Sequence, residues 1–74
     1  MTRLKQIDVA ATGERIMELR ESSGISAREL TDMMGLTIQA YYRWVHGDVL
    51  PTVDNLVVLA DIFGVKIDDI IVAR

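Results

Sequence analysis

The sequence contains no cysteine and no long apolar run, and each absence excludes a class of protein. Without cysteine there is neither a disulfide framework nor a thiolate metal site, and an intracellular location fits this composition. The N-terminus lacks the apolar stretch of a signal peptide, and no segment approaches the length of a membrane span. We therefore expect a cytoplasmic protein that contacts no membrane and is stabilised by helix packing.

An excess of basic residues is also missing, which counts against a nucleic-acid partner. The formal net charge is −3, from 8 basic and 11 acidic residues, whereas phosphate contacts usually require a basic surface. The imbalance lies in residues 48–74, with two basic and five acidic side chains, because residues 1–47 carry six of each. Residues 37–47 hold Arg43 and His46 and no carboxylate, so the acidity of the chain is not a property of this segment.

Nothing in the sequence indicates catalysis or metal binding. His46 is the single histidine, and it lacks the paired His or Cys that a zinc site needs. The serines lie at predicted helix caps, and 74 residues leave little room for a substrate pocket. We expect no enzymatic activity, no cofactor, no metal and no small-molecule substrate.

Half of the residues are hydrophobic, and their spacing predicts an all-α fold of five short helices. Apolar residues recur at intervals of three and four, and glycines follow four of these segments, as expected of helix C-caps. The result is a single domain over residues 8–74 preceded by an N-terminal arm, residues 1–7. The predicted helices cover about 8–23, 26–34, 37–46, 52–63 and a short last segment around 67–71.

The second and third helices are predicted to form a helix-turn-helix at about residues 26–46. Ser26 with Glu29 three residues later is a capping box, Gly35 stops the second helix, and Thr37 caps the third. Two helices joined by about three residues that include a glycine cross steeply. This is the geometry of a helix-turn-helix.

The third helix divides into two faces at about 100° per residue. One face is expected to pack on the core and holds Thr37, Ala40, Tyr41 and Trp44. The other face is polar and holds Ile38, Gln39, Tyr42, Arg43 and His46. An amide, a phenol, a guanidinium and an imidazole are the groups that read base edges and phosphates.

Each side chain of the polar face also has a simpler interpretation. Gln39 and Arg43 can be ordinary solvated residues. Ile38 can read a thymine methyl group, or it can form a protein-binding patch with Tyr42, whose hydroxyl can otherwise bond phosphate. His46 can donate to phosphate or can cap the end of the helix, aided by the helix dipole.

The C-terminal apolar residues exceed what one buried stripe of a terminal helix needs. They are Ile67, Ile70, Ile71 and Val72. Two interpretations stay open: a surface for homodimerisation, or docking onto the first and fourth helices.

Residues 13–71 resemble the lambda-repressor-like, or Cro/XRE, helix-turn-helix domain. The resemblance is carried by the spacing of Ile16, Leu19, Arg20, Gly24, Ile25, Ser26, Leu30, Gly35, Trp44, Gly47, Pro51, Leu56, Leu59, Ala60, Phe63, Gly64, Val65 and Ile70. The segments 42–44 and 50–56 are similar to those of a subgroup of short bacterial regulators. The family implies a five-helix bundle whose third helix enters the major groove, commonly as a dimer on a two-fold operator.

The resemblance also implies roles for individual positions. Thr37, Ile38 and Gln39 stand where the family reads the groove, and Tyr42 and Arg43 follow one turn later. The second helix begins with Ser26 and Ala27, where the family touches phosphate.

Four positions depart from the family pattern. They are Ala27 in place of a glutamine, Ile38 in place of a polar residue, Val45 in place of a glutamate, and Asp48 in place of a basic residue. The departure at Val45 leaves Arg20 of the first helix without the family's usual partner.

Two hypotheses for function follow. The first is a transcriptional regulator that binds double-stranded DNA sequence-specifically through the helix at 37–46. The second is a protein-interaction module on the same fold, antitoxin-like or an anti-regulator partner. It is suggested by the acidic pI of about 4.9 and by Ala27, Ile38 and Asp48, and it would place Ile38, Tyr42 and the acidic C-terminal third against another protein.

Overall fold

The computed structural model describes residues 4–74, in which four α-helices precede one turn of 3₁₀ helix. The helices are α1 Val9–Ser22, α2 Ala27–Met34, α3 Ile38–Val45 and α4 Val53–Phe63. The 3₁₀ turn is Ile67–Asp69. The all-α architecture and the helix-turn-helix are therefore confirmed, whereas the prediction of a fifth α-helix is wrong.

The start of every α-helix is fixed by a side chain of the preceding residue. The capping residues are Asp8, Ser26, Thr37 and Thr52. Each accepts a hydrogen bond from a first-turn backbone N–H that has no partner within the helix. These short-range bonds place the helix starts where the sequence predicts them.

One core holds the helices together. Its buried hydrophobic residues are Ile16, Leu30, Tyr41, Trp44, Leu56, Leu59, Ala60 and Ile70. They come from all four α-helices and from the segment after the 3₁₀ turn, so α3 is seated on residues that are distant in sequence. Each helix in this part of the chain is too short or too polar to cross a bilayer.

Gly13 lets α1 cross α3 at close range. It is buried in α1, and a Cβ atom there would overlap the carbonyl oxygen of Trp44 and lie 3.1 Å from the Cα of Val45. Gly47 makes the matching approach from the end of α3, since a Cβ would lie 2.9 Å from the Cα of Ala10. The two glycines fix how α3 lies on α1.

The C-terminal segment docks onto the core instead of forming a helix that presents an apolar surface. Ile70 is 0% exposed, and Ile67 and Ile71 are half-buried against the core. Val72 is half-buried, and its N–H donates to the buried hydroxyl of Thr12 at 3.0 Å. Ile70 is therefore not available as part of a dimer surface, which corrects that prediction for this residue.

The reason the C-terminal segment leaves the helical path is its pairing with the N-terminal residues. Ile7 and Ala73 form an antiparallel bridge. Backbone bonds join Gln6 to Arg74 in both directions at 2.9 Å, and Asp8 N–H donates to the Val72 carbonyl at 2.8 Å. Of the predicted arm, residues 4–7 are thus paired at least in part, and residues 1–3 lie outside the described part of the chain.

Candidate nucleic-acid interface

The two predicted faces of α3 differ sharply in exposure. Tyr41 is 1% and Trp44 is 5% exposed, so both side chains belong to the core. The exposed residues of the opposite side are Gln39, Tyr42, Arg43 and His46. Their spacing of i, i+3, i+4 and i+7 places them on one stripe of the helix, which we call the polar stripe.

Ile38 and Thr37 lie beside the polar stripe at the start of α3. Ile38 is half-buried, so part of its side chain remains accessible. Thr37 is exposed, and its hydroxyl accepts from the Ala40 N–H at 3.3 Å. The other first-turn N–H groups point out of the helix end, where the helix dipole favours an anion.

Two aromatic rings of the polar stripe stack on one another. The rings of Tyr42 and His46 are 5.9 Å apart between centroids, with 16° between their planes. Tyr42 in turn meets Tyr41 edge-on at 5.6 Å. These contacts orient the exposed phenol and imidazole along the outer side of α3, where both can donate a hydrogen bond to a phosphate oxygen.

The N-terminus of α2 is closed by a reciprocal pair of hydrogen bonds. The Ser26 N–H donates to the Glu29 carboxylate at 3.0 Å, and the Glu29 N–H donates to the Ser26 hydroxyl at 3.0 Å. The backbone N–H of Ser26, and after it the Ser26 hydroxyl, stabilises the carboxylate and lowers the pKa of Glu29 below its usual value. The methyl group of Ala27 packs against the core. Because alanine has no polar side chain, only its backbone N–H is available at the N-terminus of α2.

Arg20 has partners that the sequence did not suggest. Its Nε–H donates to the Tyr41 hydroxyl at 2.7 Å, and its guanidinium also donates to the Ile25 carbonyl at 2.7 Å. The guanidinium carbon lies 5.7 Å from the centroid of the Tyr41 ring. Val45 offers this arginine no carboxylate, and a phenol on the inner face of α3 takes the place of the family's usual glutamate.

The charges are segregated as the sequence indicates. Residues 37–47 carry no carboxylate, whereas Asp48, Asp54, Asp61, Asp68 and Asp69 lie exposed in the last third of the chain. The polar stripe is therefore free of negative side chains of its own helix, and α4 presents a more acidic surface. An anionic polymer is accommodated better on α3 than on α4.

Comparison with known proteins finds helix-turn-helix proteins. The family profile described as Helix-turn-helix matches residues 16–70. The prophage-derived uncharacterised HTH-type transcriptional regulator YonR of Bacillus subtilis is 36% identical over 56 residues, which are 76% of this chain and 52% of that protein. The transcriptional repressor RstR of the cryptic phage CTXphi in Vibrio cholerae is 30% identical over 57 residues, 77% of this chain and 51% of that protein.

A third relative comes from an archaeon. An HTH-type transcriptional regulatory protein of Pyrococcus furiosus is 36% identical over 55 residues, which are 74% of this chain and 18% of that protein. The chain thus spans about half the length of the first two relatives and less of the third. No solved structure matches it significantly. Because the family profile matches residues 16–70 and two of the relatives are HTH-type regulators, the chain belongs to the helix-turn-helix family of the Cro/C1 type that its sequence resembles.

Proposed function

We propose that the protein is a transcriptional regulator that binds double-stranded DNA sequence-specifically, with α3 in the major groove. The observation that carries the proposal is the polar stripe. Four exposed side chains with hydrogen-bonding groups share one side of the second helix of a helix-turn-helix, on a segment without carboxylates. The major groove of B-DNA admits an α-helix in this position.

The residues of α3 have distinct roles in this proposal. Gln39 can pair with adenine N6 and N7, and Arg43 can fork onto guanine O6 and N7 or onto a phosphate. The accessible part of Ile38 provides apolar contact with a thymine methyl group. Tyr42 and His46, which stack on each other, donate to phosphate oxygens.

Two helix ends supply further phosphate contacts. At α2 these are the hydroxyl of Ser26 and the backbone N–H of Ala27, and at α3 the first-turn N–H groups next to Thr37. Positive ends of helix dipoles suit these contacts, which fix the register of a protein on DNA without reading the sequence.

The relatives support the same function, since they are described as transcriptional regulators or as a repressor. We propose that this chain acts in the cytoplasm as a homodimer, so that two α3 helices meet successive major grooves about 34 Å apart. Ile67, Ile71 and Val72 are half-buried and can contribute only their exposed edges to such an interface, and Ile70 contributes none.

The test is fluorescence anisotropy with a labelled duplex from upstream of the gene for this chain, against a scrambled duplex of the same composition. We expect tighter binding to the genuine duplex, and a linear fall of log K with log salt whose slope reports the number of phosphates contacted. Equal weak binding to both duplexes, or none at low salt, would rule out a sequence-specific regulator at this site.

A protein-interaction module is the second candidate, and the outer side of α4 favours it. Val53, Val57 and Val58 are 72%, 52% and 41% exposed, next to the exposed Asp54 and Asp61. Solvent-facing apolar residues of this kind suit a protein partner. Capture from a nuclease-treated source lysate distinguishes the two candidates. A stoichiometric protein partner whose binding is lost in Ile38→Ser or Val57→Ser supports the module, and capture of no protein under these conditions removes it.

A further inference from the structure

A series of hydrogen bonds, partly buried at Arg20 and exposed at Ser26, joins α3 to the N-terminus of α2. It begins at the Tyr41 hydroxyl on the inner face of α3, where the side chain is 1% exposed. The hydroxyl accepts from Arg20 Nε–H at 2.7 Å, and the same guanidinium donates to the Ile25 carbonyl at 2.7 Å. Three elements, α1, α3 and the turn before α2, thus meet at one side chain.

The hydrogen bond from Arg20 to the Ile25 carbonyl holds the peptide group between Ile25 and Ser26, which directly precedes α2. The carbonyl of the Ile25–Ser26 peptide is held by Arg20, and its N–H is held by the Glu29 carboxylate at 3.0 Å. With both polar atoms bonded, the plane of this peptide cannot rotate without breaking a charge-assisted hydrogen bond. The direction in which the first-turn N–H groups of α2 point is thereby set.

We propose that Tyr41 and Arg20 are positioning residues for DNA binding. They hold the phosphate-contacting end of α2 at a fixed offset from the polar stripe of α3, although neither residue belongs to the polar stripe or to the capping box. The inference rests on the proposed function, because a fixed offset matters when both helix surfaces engage one duplex. The phosphate contacts of α2 and the base contacts of α3 can form together only if the two helices keep a fixed distance and angle. A small displacement of either helix weakens both sets of contacts.

Because the acceptor is the hydroxyl of Tyr41, the loss of its hydrogen bond can be separated from the loss of core packing. The Tyr41 ring fills the core and also lies 5.7 Å from the guanidinium carbon, while its hydroxyl provides the hydrogen bond. Tyr41→Phe therefore removes the bond and keeps the ring, the volume and the charge of Arg20. The polar stripe is left unchanged in sequence.

A matched control exists at Thr12. This residue is 0% exposed, and its hydroxyl accepts from the Val72 N–H at 3.0 Å, on the side of α1 that meets the C-terminal segment. Thr12→Val likewise removes one buried hydroxyl from a hydrogen bond. Both variants are expected to lower Tm by a similar amount, on the order of 5 °C, because each loses one buried bond. A purely structural role for Tyr41 would make the two variants equivalent in DNA binding.

The first experiment measures, well below Tm, the binding of both variants to the duplex from upstream of the gene for this chain. For Tyr41→Phe we expect about a 10-fold weaker Kd and a salt slope smaller by about one, as for the loss of one phosphate contact. For Thr12→Val we expect a Kd within about twofold of the parent and an unchanged slope. Equal Kd values and equal slopes for the two variants would overturn the proposal.

The second experiment requires no DNA, and it separates this inference from the proposed function. Amide hydrogen exchange should become about 10-fold faster at Ser26 and Glu29 in Tyr41→Phe, and at Val72 in Thr12→Val, because local opening follows the bond that was removed. Unchanged exchange at Ser26 in Tyr41→Phe would overturn the coupling even if DNA binds. If the parent protein binds no DNA while this exchange pattern is found, the proposed function fails and the coupling between α3 and α2 stands as a property of the fold.

Discussion

The outer sides of α3 and α4 are built from different residues on the same core. On α3 the exposed stripe is Gln39, Tyr42, Arg43 and His46, with no carboxylate between residues 37 and 47. On α4 the exposed side chains are valines and aspartates: Val53, Asp54, Val57, Val58 and Asp61. One helix offers hydrogen-bond donors to an anion, and the other offers methyl groups and negative charge.

The contrast between the two helices indicates that local charge, more than net charge, decides where a polyanion could bind this protein. The chain carries a formal charge of −3, and by that measure alone a polyanion would be repelled. Screening limits the reach of surface charges to about 8 Å at physiological salt. The local composition of α3 therefore counts for more at the interface than the aspartates of α4.

The largest expected effect separates the inner side of α3 from the outer side of α4. Trp44→Ala should lower the free energy of unfolding by about 3–5 kcal/mol, because a buried aromatic side chain is lost and a cavity remains. Val53→Ala on α4, at a residue 72% exposed, should change it by less than about 0.5 kcal/mol. Urea unfolding measures both, and similar losses in the two variants would contradict this description of the core.

The next effect tests how α3 is seated on α1. Gly→Ala inside a helix normally stabilises it by about 0.5–1 kcal/mol. At Gly13 the sign should reverse, with a loss of about 1–3 kcal/mol from overpacking, since the new Cβ would overlap the Trp44 carbonyl oxygen. A Gly13→Ala variant that unfolds at higher urea than the parent would show that α3 does not lie this close to α1.

Substitutions on the outer sides of α3 and α4 should differ in their effect on DNA binding. Arg43→Ala should weaken DNA binding by about 1–3 kcal/mol and relax the preference at one base position, with little change in stability because Arg43 is exposed. Asp61→Ala on α4, also exposed, should leave Kd within about twofold, since it lies off the interface. Anisotropy titrations of both variants measure this, and equal effects would break the distinction between α3 and α4.

The smallest expected effect is a change in Tm with pH that comes from the carboxylate of Glu29 in the capping box of α2. The pKa of Glu29 is lowered in the folded protein by its hydrogen bonds with Ser26. The contribution of the carboxylate to stability is therefore fully present above the pKa of an unfolded glutamate and is lost as pH falls through the folded pKa. The Tm of Glu29→Gln should lie slightly below that of the parent at pH 7, and the gap should close as pH falls below about 4.5. Differential scanning calorimetry across this range measures the gap, and a gap that widens toward low pH would contradict the capping box.

The sequence predicts the helix starts and the two faces of α3 because the signals are local. A cap such as Ser26 acts over three residues, and the helical period separates Tyr41 from Tyr42 without knowledge of the fold. The C-terminal segment was predicted wrongly because its conformation depends on a partner 60 residues away, as in the bond from Val72 to Thr12.

Two features of the site also required the tertiary structure. A glycine inside a helical pattern, such as Gly13, normally weakens the helix, and the sequence does not indicate that α1 meets the backbone of α3 at this residue. The sequence indicates only that Arg20 lacks the family's usual glutamate, because Val45 stands in its place, and the pattern assigns Tyr41 to the core without a polar role. A buried tyrosine whose hydroxyl needs a partner was the available signal.

The most direct test of the central claim is a titration of the ¹⁵N-labelled protein with the preferred duplex, followed by two-dimensional NMR. We predict that the largest amide shift changes fall on residues 37–46 and on Ser26 and Ala27 at the start of α2, with small changes on α4. Changes concentrated on Val53, Val57 and Asp61, or none at saturating DNA, would contradict the assignment of the polar stripe of α3 as the DNA-binding surface.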